Sequence, residues 1–245
     1  MKNGKRCTAI VLAAGNGSRM KSNVAKQYLD LGGKPVIWYS LNAVEQSKII
    51  DDCILVVGAD DLEYARQEIV QKYGFSKADT IVAGGAERYL SVGNALRVIA
   101  ARDGEEANGY VYVHDGARPF LDEEMIERLT DAVCTVHACV AAVPSKDTIK
   151  IADDTDFAIQ TPDRRSVWCV QTPQVFDAQL IITAYERLGG RLDRMKEQGI
   201  PITDDAGVVE MFTDNRVKMV EGSYQNIKIT TPEDLIVAEA FLKNR

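Results

Sequence analysis

The sequence predicts an α/β fold: a largely parallel, twisted sheet covered by helices on both faces, with a β-arm protruding from it. Three observations carry this expectation. Short apolar runs alternate along the chain with amphipathic stretches of helical period. Apolar strands in that alternation belong to a sheet buried on both sides. One polar, strand-prone segment after Pro144 breaks the pattern. With 245 residues, 46% hydrophobic and 27% charged, the chain has ordinary globular composition and enough length for one large core. No repeat, linker or low-complexity tract divides it, so one domain over 1–245 is expected.

In chain order, strands are expected at Thr8–Ala13, Cys53–Val57, Thr80–Ala83, Tyr110–His114 and Cys139–Val143. Helices are expected near Pro35–Gln46, Asp61–Tyr73, Glu87–Ala101 and Asp122–His137. In the last of these, Met125, Ile126, Leu129, Val133 and Val136 share one face, and Asp122 is placed to cap the helix. Residues 145–171 lack helical periodicity. Short β segments at Thr148–Ile151 and Ser166–Val170 predict a hairpin-like arm that packs on a partner subunit, hence a homodimer. Helices return near Asp177–Leu188 and Thr203–Phe212, then a strand near Val217–Val220. Thr231-Pro232-Glu233-Asp234 starts the closing helix: an N-cap, a proline in the first turn, and acids at the positive dipole end. The whole is Rossmann-like.

The net charge of -7 excludes a general nucleic-acid binder but leaves room for a local basic pocket. Five scattered cysteines with no C-x-x-C pair read as reduced core thiols of a cytoplasmic protein. The Cys134–His137–Cys139 cluster has too few ligands for zinc. The apolar run Ala9–Ala14 is too short for a signal peptide, and no stretch is long enough to span a membrane.

The first strand runs directly into Ala13-Ala14-Gly15-Asn16-Gly17-Ser18-Arg19-Met20. Ligands gather at the carboxyl ends of strands in such sheets. Two glycines let backbone N–H groups approach an anion, and Arg19 and then Lys26 add two cations beside the turn. A dinucleotide fingerprint would need a third glycine where Met20 stands, and Gly33-Lys34-Pro35 fails as a P-loop. A polyphosphate ligand suits this loop. The bland alternative is a plain strand-to-helix turn with solvated cations.

Leu12 to Met20, with Lys26-Gln27-Tyr28-Leu29, resembles the nucleotidyltransferase signature. Further blocks extend the likeness: Gly84-Gly85-Ala86-Glu87-Arg88, His114-Asp115-Gly116-Ala117-Arg118-Pro119, Gln171-Thr172-Pro173-Gln174, Thr203-Asp204-Asp205-Ala206 and Asn226-Ile227-Lys228-Ile229-Thr230. In this order they resemble the 2-C-methyl-D-erythritol 4-phosphate cytidylyltransferase family over nearly the whole chain. The resemblance implies transfer of CMP from CTP to a sugar-alcohol phosphate, with release of pyrophosphate.

It also implies roles. Arg19 and Lys26 would contact the CTP phosphates and stabilise the transition state, with Mg²⁺ held mainly by those phosphates and Asp115 as a possible ligand. Ala13, Ala14, Gly15 and Gly17 would line the phosphate loop. Gly85 and Ser91 would hold cytosine and ribose. Asp115 would face the sugar-alcohol substrate and the metal-phosphate region, Arg118 would contact the nucleotide, and Gly116 and Thr172 would line the substrate-binding region. Thr148 and Arg164 would bind the substrate phosphate from the partner subunit, and Lys228 would position that substrate. Arg164 suits the task because a guanidinium grips phosphate with two parallel hydrogen bonds; Arg165 beside it leaves the register open. The physics agrees with fixed cations: charge accumulates on phosphate oxygens in the transition state. The attacking phosphate oxygen is already ionised, so no general base is needed, and His114 and His137 read as structural. Ala86, Gln225 and Ala25 depart from common family residues. Competing readings are a ribitol 5-phosphate cytidylyltransferase, a non-catalytic nucleotide-binding module, and a nicotinamide-dependent oxidoreductase.

Overall fold

Residues 2, 4–15 and 25–243 are described by the computed structural model. Strand β1 (Arg6–Ala13) opens the chain. A small hairpin of β2 (Asp30–Leu31) and β3 (Lys34–Pro35) follows. Its two turn residues, Gly32 and Gly33, both have positive φ, the geometry a tight hairpin requires. Then come α1 (Val36–Gln46), β4 (Asp52–Val57), α2 (Leu62–Tyr64) running on as a π-helix over Ala65–Gln71, β5 (Thr80–Ala83) and α3 (Arg88–Ala100). The middle of the chain forms β6 (Gly109–Asp115), α4 (Glu123–Val136) and β7 (Ala138–Pro144). Asp122 caps α4, its side chain accepting from the Met125 N–H, as its position predicts.

Seven strands make one sheet. Taking β10 (Trp168–Asp177) and β11 (Lys218–Glu221) with the others, the order is β11-β7-β10-β6-β1-β4-β5. All neighbours run parallel except β10, which is antiparallel to both β6 and β7. The expected largely parallel sheet is therefore present, with one antiparallel strand, β10, of which the expected β segment Ser166–Val170 covers only the first residues. Its polar middle, Gln171-Thr172-Pro173-Gln174, breaks the apolar run that marks the other strands. Pro173 gives no ladder hydrogen bond, and the register shifts between Val170 and Gln174.

Side-chain alternation along the strands builds two cores. Cys7, Ala9, Val11 and Ala13 of β1 and Tyr110 and Tyr112 of β6 face α1 and α4. Ile10 of β1 and Val111 and Val113 of β6 face α3, α5 (Ala178–Gly189) and α7 (Asp205–Phe212). The short α6 (Leu192–Glu197) contributes Met195 to this second core. A third cluster sets Leu31, Val36, Phe120 and Ile229 against Ala238 of α8 (Pro232–Leu242). Thr231 caps α8 in a capping box with Asp234.

The arm departs from its expected form. Its hairpin is β8 (Ile151–Ala152) paired with β9 (Ala158–Gln160), so Thr148 to Lys150 form no strand. Trp168 to Val170 pair with β7 as the outer end of β10 rather than with the arm. The arm is exposed, including Phe157 at 73% and Ile159 at 65%. Cys7, Cys53 and Cys139 are buried thiols, but Cys169 is exposed at the arm's base, which corrects its reading as a core residue. No helix of the described residues is long and apolar enough to cross a membrane.

Candidate active site

Register brings the site together. Ala13 pairs with Val57, Val57 with Ala83, and Leu12 with Asp115, so the carboxyl ends of β1, β4, β5 and β6 lie level. Strands β4 and β6 flank β1 on opposite sides, which makes this edge the point where strand order reverses and ligands bind. Close approach is built in with glycine. A Cβ on Gly84 would lie 2.3 Å from the Ala14 Cβ and 2.9 Å from Ser91 Oγ. The Gly85 N–H donates to Ser91 Oγ at 3.0 Å, which ties the Gly-Gly turn to the first turn of α3.

The cleft at this edge has two halves. One is lined by Ala13, Ala14, Gly15, Lys26, Gly85 and Ser91 among others; the second by Arg118, Gln171, Thr172, Thr203 and Asp204. Arg88, Asp115 and Lys228 line both halves and form the wall between them. The expected residues Ala13, Ala14, Gly15, Lys26, Gly85, Ser91, Asp115, Arg118, Thr172 and Lys228 are thus brought to one cleft. Gly116 is buried beside it, its N–H donating to Leu12 O at 2.8 Å. Gly17 and Arg19 lie outside the described residues. Thr148 and Arg164 do not line the cleft of their own chain. Both are exposed on the arm, where Arg164 donates to the Lys146 carbonyl. Arg165 is occupied locally, its guanidinium donating to both oxygens of Asp163.

Asp115 is the electrostatic centre. Burial pushes its carboxyl up, but Arg88 and Lys228, with Arg118 adding to them, overcome this and hold it well below the usual carboxylate range. Lys228 Nζ lies 2.6 Å from Oδ2 and Arg88 Nε 3.3 Å from Oδ1. Lys228 sits in an irregular extended loop and not in a strand. Its neighbours fix that loop: Ile229 is buried, and its N–H donates to Ala117 O at 2.8 Å.

A relay behind Asp115 fixes its backbone. The Asp115 N–H donates to Thr172 Oγ1 at 3.0 Å, and Thr172 lies 3.1 Å from His114 Nδ1. His114 Nε2 lies 3.1 Å from Arg118 O. Burial lowers the His114 pKa to about 4, so the ring is neutral at pH 7. A neutral ring protonated on Nε2 satisfies the relay: Thr172 donates to Nδ1 and Nε2–H donates to the carbonyl. His114 is structural, as read from the sequence.

Sequence reasoning passed over several residues that organise this cleft. Arg88 stands in a quoted block but received no role; its guanidinium also reaches Asp205 Oδ2 at 2.8 Å. Gln174 Oε1 accepts from the Asp205 and Ala206 N–H groups, and Asn226 Nδ2 donates to Thr172 O. Gln27 Nε2 donates to Ala13 O. Each lies in a polar block of an otherwise apolar fold, which was the available signal.

Among the described residues no group of three or more His, Cys, Asp or Glu side chains forms a ready metal cage. Asp115, held ionised by its cationic neighbours, lines both halves of the cleft. That donor set fits a magnesium ion, which takes one or two carboxylates and otherwise the oxygens of substrate phosphates and water.

Comparison with known proteins agrees with this geometry. The family IspD: 2-C-methyl-D-erythritol 4-phosphate cytidylyltransferase matches residues 7–244. The 2-C-methyl-D-erythritol 4-phosphate cytidylyltransferase of Lachnospira eligens is 48% identical, over 96% of this chain and 99% of that protein. The protein of the same name from Lachnoclostridium phytofermentans is 47% identical, over 98% of this chain and 97% of its own. Among solved structures, 4-diphosphocytidyl-2C-methyl-D-erythritol synthase from Anaerococcus prevotii superposes with a TM-score of 0.80 at 37% identity, covering 98% of this chain and all of that one. With strand-end register, cleft and sequence in agreement across its length, the chain belongs to the 2-C-methyl-D-erythritol 4-phosphate cytidylyltransferase family.

Proposed function

We propose that the two halves of the cleft divide the two substrates of a cytidylyl transfer, with Asp115, Lys228 and Arg88 at the boundary where they react. The chain is a cytidylyltransferase that forms CDP-methylerythritol from CTP and 2-C-methyl-D-erythritol 4-phosphate. In our reading CTP occupies the half lined by Gly15, Lys26, Gly85 and Ser91, and the polyol phosphate the half lined by Arg118 and Thr172. The shared wall is the observation that carries this division.

The substrate phosphate oxygen attacks the α-phosphorus of CTP in line, and the bond to the β-phosphate breaks to release pyrophosphate. The nucleophile is an anion at pH 7, so no side chain needs to remove a proton. The neutral, fully engaged His114 is in keeping with that. Lys26, and Arg19 by its position in the sequence, stabilise charge that grows on the equatorial and bridging oxygens. Preorganised cations do this better in a shielded cleft than water does. Lys228 orients the incoming phosphate. Magnesium, when bound, supplies further positive charge to the phosphate oxygens, and Asp115 is the residue that would hold it.

The reading also includes a homodimer whose arms carry Thr148 and Arg164 into the partner's cleft, a single working domain over 1–245 with that arm, and a cytoplasmic location. Exposed apolar residues on the arm support the dimer, and free thiols support the location. The function is tested by pyrophosphate release with CTP and a panel of polyol phosphates, with and without Mg²⁺. Release should be fastest with 2-C-methyl-D-erythritol 4-phosphate and should stop without a divalent cation. Faster turnover of ribitol 5-phosphate would assign a different substrate.

A further inference from the structure

We propose that Arg88 is a positioning residue, a fixed counter-charge that lets Lys228 leave Asp115 and turn to the substrate phosphate. The inference rests on the reading that Lys228 and Asp115 serve the polyol phosphate.

Lys228 is already engaged by a carboxylate. Its ammonium lies 2.6 Å from Asp115 Oδ2. To meet a phosphate it must give up that contact, at least in part. Asp115 is nearly buried, its side chain only 10% exposed. A buried carboxylate that gives up a direct cation partner is penalised unless another cation stays in contact with it, and Arg118 acts on Asp115 more weakly than Arg88 does. That cost would be drawn from substrate binding.

Arg88 removes the problem. Its Nε lies 3.3 Å from Asp115 Oδ1, the oxygen that Lys228 does not hold. Its Nη2 is anchored 2.8 Å from Asp205 Oδ2, and Asp205 is fully buried at the start of α7. Asp205 is held in turn by the Tyr185 hydroxyl, which donates to Oδ1 at 2.5 Å, and by its own N–H donating to Gln174 Oε1. The guanidinium is therefore pinned between two carboxylates from different elements. Lys228 is about as exposed as Arg88, 36% against 30%, but it sits on an irregular loop and its ion pair is with Asp115, whereas Arg88 starts a helix and meets two carboxylates. One cation is built to stay and the other is placed to move. A planar guanidinium, with donors in a fixed fork, can bridge two carboxylates in a way a lysine cannot.

Replacing Arg88 alone would strand Asp205 as well as Asp115, so the test uses a charge-balanced pair. In Arg88→Gln/Asp205→Asn the buried partner is neutralised together with the guanidinium. Unsubstituted enzyme is assayed first; absence of CTP- and methylerythritol phosphate-dependent pyrophosphate release there would overturn the functional reading itself. Given that activity, and a thermal melt showing the double variant folded, we expect KM for the polyol phosphate to rise about tenfold or more. CTP binding, measured by calorimetry without the second substrate, should stay within about threefold. Arg88→Lys should fall between the two enzymes, because it restores the charge without the fork. An unchanged KM for the polyol phosphate in the folded double variant would overturn the proposal. So would equal losses of affinity for both substrates, since Arg88 would then be a general scaffold and not the partner of Asp115.

Discussion

At the scale of single residues, the cleft separates charges that act from groups that hold. Lys26 belongs to the first kind in our reading. Lys26→Ala should lower kcat on the order of 10²-fold, the usual loss when one preorganised donor to a developing charge is removed. CTP affinity should fall less, because the contact strengthens in the transition state. Steady-state kinetics decide this, and an unchanged kcat would reduce Lys26 to a surface charge. His114 belongs to the second kind, and it makes folding sensitive to pH. Its folded pKa of about 4 lies below its ordinary value of 6.5. Between those values the unfolded chain binds a proton that the folded one does not. Stability is therefore complete above about pH 6.5 and falls as pH drops towards 4, by about 3 kcal/mol for a shift of this size. Urea midpoints across that window should show the slope, and His114→Gln, which carries no titrating ring, should flatten it. An identical slope in the variant would place the effect elsewhere.

At the scale of elements, the cleft is made by loops that nearly touch. Gly84 is the sharpest case. An added methyl would sit inside contact distance of Ala14 Cβ, so Gly84→Ala must push the β5 turn away from the loop that follows β1. We expect KM for CTP to rise about tenfold through this displacement, since misplaced binding groups are costly, with melting temperature changed little by comparison. A variant with native CTP kinetics would show that the two loops move independently. This kind of contact was not legible in the sequence, although the elements around it were. Strands β1, β4, β6 and β7 could be read because burial on both faces makes them largely apolar, and the edge strand β5 because Ile81 and Val82 pack partly against the two cores. Helices α4 and α8 could be read because Asp122 and Thr231 announce their starts. Beyond Val170, strand β10 was hidden because its middle is Gln171-Thr172-Pro173, where the Gln171 and Thr172 side chains serve the cleft and its supports instead of the core. The arm's hairpin was displaced by a few residues, because exposed β segments lack the burial that fixes register. Within the site, cations next to glycines could be recognised as phosphate ligands. Arg88 could not: its partner Asp205 lies far along the chain, and only folding shows that the two meet.

At the scale of the whole molecule, Thr148 and Arg164 remain outside the cleft of their own chain. The arm that bears them exposes Ile149, Ile151, Phe157 and Ile159, more apolar surface than a two-stranded hairpin can support alone in water. A two-fold dimer resolves both facts, because the contact is then reciprocal and each arm completes the other subunit's pocket. Under this hypothesis Arg164 acts in trans on a pocket whose Lys228 belongs to the partner. The consequence can be counted. Arg164→Ala and Lys228→Ala should each be inactive as homodimers. In a mixed dimer, one pocket takes its arm from the Arg164→Ala chain and its lysine from the Lys228→Ala chain, and so carries both defects. The other pocket takes both groups intact. With equal mixing and free exchange, half the dimers are mixed and each holds one intact pocket, so about a quarter of all pockets should work. If Arg164 instead served its own chain, every pocket in a mixed dimer would keep one defect and activity would stay at the level of the separate variants. The measurement is pyrophosphate release after mixing, with subunit exchange demonstrated by native mass spectrometry of differently tagged chains. Exchange without recovered activity would rule out the shared site and leave the arm as a purely structural clasp.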